Sequence, residues 1–359
     1  MSFSKLPRGL TLLSVILLSG CSAVSLSPSG DIAVQQRDLI IYSTLLMLLV
    51  IVPVIVLIFW FAWRYRASNT EATYDPEWHH STLLELIIWS VPLLIIIALG
   101  ALTWVSTHKL DPYRPLDRID AARSVEKDVE PMVIEVVALD WKWLFFYPEQ
   151  GVASLNEFAA PVDRPVRFRI TSSTMMNSFF IPALAGQIYA MPGMQTTLHA
   201  IINKPGTFDG FSANYSGAGF SGMRFKFHGM EQGEFDSWIN KVRAEGAPLE
   251  RADYLKLEQP SEREPVRYFA NVPANLFNAI LNRCVEANRM CMNEMMAIDA
   301  QGGLGLPGLY NMTSLDASTR EKLGLSHAHV RTYVGAMCSP EDPAFVSSAA
   351  PVAPVTQTL

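Results

Sequence analysis

The middle of this 359-residue chain has no thiols: of its four cysteines, one is Cys21 and the other three are Cys284, Cys291 and Cys338. Thiolate metal chemistry is therefore excluded between Cys21 and Cys284, and the last three lack the tight paired spacing of a zinc site. If the last quarter is exported, a Cys284–Cys291 disulfide can form, and one thiol is then left over. Charge is also scarce, at 17% of residues with a net charge of -6. With no basic run and no basic-aromatic stripe, nothing points to nucleic acid. There is no phosphate-cradling glycine loop and no nucleophile with acid-base partners, so independent catalysis has no candidate residues. What the chain does have is apolar residues, half of the total. That is too greasy for an ordinary soluble domain and too mixed for a polytopic carrier, so part is membrane and part globular.

Residues 1–20 read as an export signal, with Lys5 and Arg8 before an apolar run and then Leu18-Ser19-Gly20-Cys21. Small residues ending on Cys match the lipoprotein cleavage signature, which would make Cys21 a lipidated first residue; the plainer reading is an ordinary signal with an incidental cysteine. A polar lead, 21–38, precedes an uncharged run at 39–63, long enough to cross a hydrocarbon core of about 30 Å. Trp60, Trp63 and Tyr65 form an interfacial belt at its end, and Arg64 and Arg66 mark the cytoplasmic side. Pro53 is expected to kink this helix without ending it. After a short loop, 64–81, a second span at 82–106 returns as an antiparallel hairpin, and 107–130 is a charged, proline-containing linker.

One ionisable group lies inside the hairpin. Glu85 stands in the first turn of the second span, where a carboxylate is by default a functional candidate. Thr82-Leu83-Leu84-Glu85 also fits a capping box, in which the glutamate would satisfy backbone donors instead. His79 and His80 beside it are read as solvated loop residues rather than proton feeders.

Strand signals follow. Met132 to Leu139 is apolar and β-branched, while Val166 to Ile170 and Phe225 to Phe227 alternate strictly, with glycine and proline turn clusters between them. Such spacing predicts a β-sandwich over 131–240. A helical arm over 241–290 and a loosely ordered tail over 291–359 complete the chain. His199 and His228 are read as structural, and His327-Ala328-His329 is a weak metal pattern. The methionines up to Met296 are read as incidental.

Three segments carry a family resemblance. Asn177-Ser178-Phe179-Phe180-Ile181-Pro182, the Pro192-Gly193 turn and the loop Tyr215-Ser216-Gly217-Ala218-Gly219-Phe220-Ser221-Gly222-Met223 resemble the copper-binding scaffold of subunit II of the haem-copper oxidases. That family holds two coppers with a His-Ser-Phe-x-x-Pro segment and a Cys-x3-Cys-x3-His-x2-Met loop. Laid over Asn214 to Phe227, the loop puts Tyr215 and Gly219 at the cysteine positions, Met223 at the histidine and Lys226 at the methionine, with Asn177 in place of the first histidine. A dinuclear thiolate-bridged centre requires soft sulfur and imidazole, so these positions are vacant. Within the family, this pattern of loss resembles the quinol-oxidising branch, the bo-type ubiquinol oxidases in particular. Asp140 to Tyr147 is similar to an aromatic electron relay; with no copper acceptor, it is expected to pack on the membrane or on a partner subunit.

The resemblance implies a two-helix membrane hairpin and an extracytoplasmic all-β cupredoxin-like sandwich with a C-terminal helical arm. It further implies that no cofactor is bound here, and that haem b, a second haem of o or a type and copper B lie in a partner subunit I, with ubiquinol as the substrate of the complex. Smaller membrane subunits and membrane lipid are the other expected partners, and cytochrome c is not. His80 to Trp89 resembles the family segment whose glutamate stands at the cytoplasmic mouth of the K-type proton pathway, which favours the functional reading of Glu85. A copper-bearing cytochrome c oxidase subunit and a free-standing lipoprotein of the inner membrane with a binding or scaffold role are the alternatives.

Overall fold

The computed structural model describes residues 24–299, apart from 74, 127–128 and 288. The export signal with Cys21, the His327/His329 pattern, Cys338 and residues 300–359 lie outside the described residues. A 3-10 turn, Val24–Leu26, leads into α1 (Asp31–Arg64), and α2 (Thr82–Lys109) runs back beside it. Both helices are long and apolar enough to cross a membrane. α1 is continuous through Pro53.

α1 starts well before the apolar run at Leu39, because its first turn belongs to the globular domain. Asp31, Ile32 and Ala33 are buried. The N–H groups of Ser29 and Gly30 donate to Ala183 O at 2.9 and 2.8 Å. Gly30 forms a bridge with Ile202, and a Cβ there would lie 2.5 Å from Leu184 O, so only glycine fits. Arg118, in the linker, grips Asp31 with two hydrogen bonds of 2.9 Å. Gln35 adds a third at 2.8 Å.

The globular domain contains β1 (Met132–Leu139), β2 (Lys142–Tyr147), β3 (Val152–Leu155), β4 (Glu157–Pro161), β5 (Val166–Ser172), β6 (Asn177–Phe180), β7 (Ile188–Ala190), β8 (Thr196–Ala200), β9 (Gly206–Ser212) and β10 (Arg224–Met230). The helical arm follows with α3 (Gln232–Glu245), β11 (Ala247–Pro248), α4 (Arg251–Glu258), β12 (Arg267–Ala270), α5 (Leu276–Leu281) and α6 (Met292–Asp299). One sheet has the order β11-β12-β3-β2-β1-β5-β8 and the facing sheet β4-β10-β9-β6-β7.

The alternating segments and the apolar runs have different roles. β10 faces solvent on one side and alternates exposed with buried. β1 and β2 are covered on both faces. Ile134, Val136, Trp143, Phe145 and Tyr147 fill the core between the sheets, while Val137, Leu139, Leu144 and Phe146 pack beneath the arm with Tyr254, Leu276 and Phe277. The expectation that Asp140 to Tyr147 lies against the membrane or a partner is thereby corrected, because most of its rings are buried within the chain's own domain. Two charged side chains lie on the arm-covered face and are paired. Lys142 Nζ donates to Gln259 O and Ser261 Oγ, both at 2.7 Å. Glu135 accepts from Arg169 at 2.7 Å, and that guanidinium stacks over Phe277.

The contiguous run of strands ends at Met230, since the helix-friendly text from Gln232 is already α3, and the arm then returns β12 and β11 to the edge of the larger sheet beside β3. Residues 292–299, expected to be loosely ordered, form α6, tied down by the Cys284–Cys291 disulfide.

Candidate functional site

The loop between β9 and β10 lies against the start of β6, and its polar atoms are mutually satisfied. Asn177 is buried and donates through Nδ2 to Met175 O at 3.2 Å. Its Oδ1 lies 3.1 Å from Ser212 Oγ, which is also 3.2 Å from Asn214 O and accepts from Ser178 N at 3.4 Å. Asn214 Nδ2 donates to Met176 O at 3.2 Å. At the next turn the Ser216 hydroxyl faces Met223 Sδ at 3.9 Å, and both residues are buried.

Trp141 closes this cluster. Its backbone is left-handed, with φ 64°, which swings the indole over the loop, where Nε1 donates to Ser216 O at 2.8 Å. A Cβ at Gly219 would lie 2.5 Å from the Trp141 ring, so glycine at this position makes room for the indole.

The positions assigned from the sequence are only partly brought together. Asn177 and Met223 are buried in the cluster and Gly219 lies under Trp141. Tyr215 points to solvent against Phe220 at 5.6 Å. Lys226 is exposed and paired with Asp209 at 2.5 Å. This corrects the register. The same 3-3-2 spacing laid three residues earlier falls on Ser212, Ser216, Phe220 and Met223, and the two serines and the methionine are the residues the fold gathers around Asn177. The cue was in the sequence, since that register puts methionine on methionine and a hydroxyl on each thiol. The donors are amide, hydroxyl and thioether in the second register, with the Lys226 amine added in the first, and neither set has the thiolates and imidazoles a dinuclear copper centre uses. Among the described residues no three of His, Cys, Asp or Glu gather.

The second site is at the start of α2. Ser81, not Thr82, is the N-cap, its Oγ accepting from Leu84 N at 3.4 Å. The Glu85 carboxylate does not turn back to the backbone as a capping box requires. It meets His80 Nδ1 at 2.7 Å, while His80 Nε2 lies 3.1 Å from Thr82 Oγ1. The capping-box reading and the reading of His80 as a merely solvated residue are both corrected. His79 Nδ1 sits 2.6 Å from Glu77 O. The Glu85–His80 pair is exposed on the side of the hairpin opposite the sandwich.

The remaining histidines have structural settings. His228 bridges Thr207 Oγ1 at 3.0 Å and Glu157 at 3.6 Å. His199 is buried on the edge strand β8, and burial, with Arg167 beside it, lowers its pKa.

Residues 150–229 match the family model described as cytochrome C oxidase subunit II, periplasmic domain. Residues 243–288, the arm, match the model described as COX Aromatic Rich Motif. The chain is 52% identical over 280 residues to a cytochrome bo(3) ubiquinol oxidase subunit 2 of Pseudomonas putida, covering 78% of this chain and 86% of that one. It is 53% identical over 276 residues to the protein of that name in Pseudomonas aeruginosa, covering 77% and 81%. With a ubiquinol oxidase subunit 2 of Acetobacter aceti it shares 48% identity over 268 residues, covering 75% and 85%.

Proposed function

The chain belongs to the bo-type ubiquinol oxidase subunit 2 family, and from that membership we propose that it is the non-catalytic second subunit of a proton-pumping complex that passes electrons from ubiquinol to oxygen. The observation that carries this reading is the donor set gathered at Asn177, Ser212, Ser216 and Met223. A water-side electron relay at this loop requires soft sulfur and imidazole ligands, and the loop offers side chains that pack and hydrogen-bond with one another. Quinol is lipid-soluble and delivers electrons from within the bilayer, so such a relay is unnecessary.

On this reading the haems and copper B are held by a partner subunit I, and smaller membrane subunits complete the assembly. The two spans offer no set of inward histidines to ligate haem, which supports that division of labour. The extracytoplasmic sandwich caps subunit I. Cys21 carries a lipid anchor on the same side of the inner membrane, after removal of residues 1–20. Glu85, paired with His80, stands at the cytoplasmic mouth of a proton pathway, where the imidazole holds the carboxylate in the open and relays protons to it.

The test is purification of the tagged chain in mild detergent, followed by haem spectra and oxygen consumption with quinol and with reduced cytochrome c. Haem co-purifies and quinol alone supports turnover; oxidation of cytochrome c, or a preparation without haem, contradicts the reading. In the same preparation Glu85→Ala slows turnover by roughly tenfold or more, within the range of a general acid-base group, with haem content unchanged. Loss of assembly instead assigns Glu85 a structural role.

A further inference from the structure

The outer end of the hairpin carries cations that membrane topology does not explain. Lys109, Arg114, Arg118 and Arg123 follow the second span on the exported side, against Arg64 and Arg66 in the cytoplasmic loop. The positive-inside bias runs the other way, so each outer cation needs a reason of its own. Arg118 has one in Asp31, and Arg123 has one in Asp120 and Asp163. Arg114 makes only an exposed pair with Asp117, three residues along the chain, a contact of little worth. Lys109 has no partner among the described residues. The helix dipole accounts for a cation in the last turn of α2, but not for the second one, Arg114, across the same cleft.

That cleft, of about 210 Å³, lies between the head of α1 and the start of the linker; Lys109, Arg114, Arg118 and Gln35 line it together with Asp31 and Asp117, the carboxylates that Arg118 and Arg114 each already engage, which leaves Lys109 as its uncompensated charge. Its depth follows from the helices. Lys109 stands four residues beyond Val105, the end of one apolar run, and Gln35 four residues before Leu39, the start of the other. At 1.5 Å per residue both lie about 6 Å outside the hydrocarbon, inside the polar layer of roughly 5–7 Å on each face of a bilayer. Trp104 and Tyr113, both exposed, flank it as an aromatic belt.

We propose that this cleft seats the phosphodiester headgroup of an outer-leaflet phospholipid, its anionic oxygens on Lys109 Nζ and on the guanidinium edges that Arg114 and Arg118 leave unused. The acyl chains then run down the groove between α1 and α2. The inference rests on the hairpin spanning the membrane and is independent of which electron donor the complex uses.

The test takes the intact detergent-purified complex, stripped of loosely held lipid and titrated with phosphatidylglycerol under native mass spectrometry. Wild type retains one phospholipid that Lys109→Gln with Arg114→Gln holds roughly tenfold or more weakly, at about 1 kcal/mol per interfacial cation, while haem content and quinol turnover stay unchanged. Equal retention overturns the site, and displacement of the lipid by equimolar inorganic phosphate reduces it to a plain anion site and overturns the lipid. Wild type alone gives a second reading: a photoactivatable headgroup analogue labels residues 109–118, and labelling elsewhere on the chain defeats the proposal even where the double variant fails to assemble.

Discussion

Glu157 shows how much can depend on one side chain at the seam between sandwich and arm. Tyr268 donates to its Oε1 at 2.7 Å and Trp238 at 3.3 Å, while His228 faces Oε2 at 3.6 Å. The His228 imidazole first, then the Tyr268 and Trp238 donors, hold the carboxyl at about 2 against the opposing effect of burial. A carboxyl depressed in the folded state contributes stability that is present above its unfolded pKa of 4.5 and is lost as pH falls from there through about 2. Glu157→Gln is expected to cost about 1–3 kcal/mol at pH 7, the range for hydrogen bonds to a charged group. The deficit shrinks toward zero near pH 2, read as the urea midpoint of the full chain in detergent at both pH values. A deficit constant with pH assigns the loss to packing. At this scale the sequence was least informative. Asn177 could be placed from its motif, but motif spacing lays the loop after it three residues out of register, and Trp141 could not be placed over Gly219, because a left-handed tryptophan leaves no mark in periodicity.

Elements were read well where one physical pattern ruled and poorly where two overlapped. β10 alternates because one of its faces is wet, and the two spans stand out because lipid disfavours charge, their apolar runs holding a single charged group, Glu85 in the first turn of the second. β1 and β2 are sandwiched between a second sheet and the arm, so their continuous apolar text gave the strand but not what covers it. The arm itself has short helices with modest apolar faces, and it is held by long-range pins that no local window contains. Lys142 holds residues 259–261, Arg169 stacks on Phe277, and the disulfide fixes α6. Closing so short a loop stabilises by about 2–3 kcal/mol through the unfolded chain's lost entropy. Cys284→Ser is accordingly expected to loosen α6 and the loop before it while leaving β1 and β2 intact. Amide hydrogen exchange reads this as faster exchange confined to Met292–Asp299 and the loop between Cys284 and Cys291, and faster exchange in the strands as well contradicts a local role.

At the scale of the whole molecule, the membrane hairpin and the sandwich are joined by a helix shared between them. α1 enters the domain with Asp31 buried, and the Arg118 linker grips that carboxylate with both arms of its guanidinium. The joint therefore fixes the linker to the first span as well as to the sandwich, where Asn203 Nδ2 donates to Ile119 O at 2.9 Å. Asp31→Ala removes the shared anion, strands the guanidinium and leaves Gln35 without its partner, while the core between the sheets is untouched. Arg118 is about a third exposed, so solvent screens the pair and the expected loss is about 1–2 kcal/mol rather than the value of a fully buried one. A loss of that size raises the open population of the linker roughly tenfold. Trypsin is expected to cut at Arg118 and Arg123 about tenfold faster in Asp31→Ala than in the unaltered chain, with the near-ultraviolet circular dichroism of the tryptophans unchanged. Cleavage at the unaltered rate would show that the β-bridge at Gly30 and the buried Ile32 hold the joint without the ion pair.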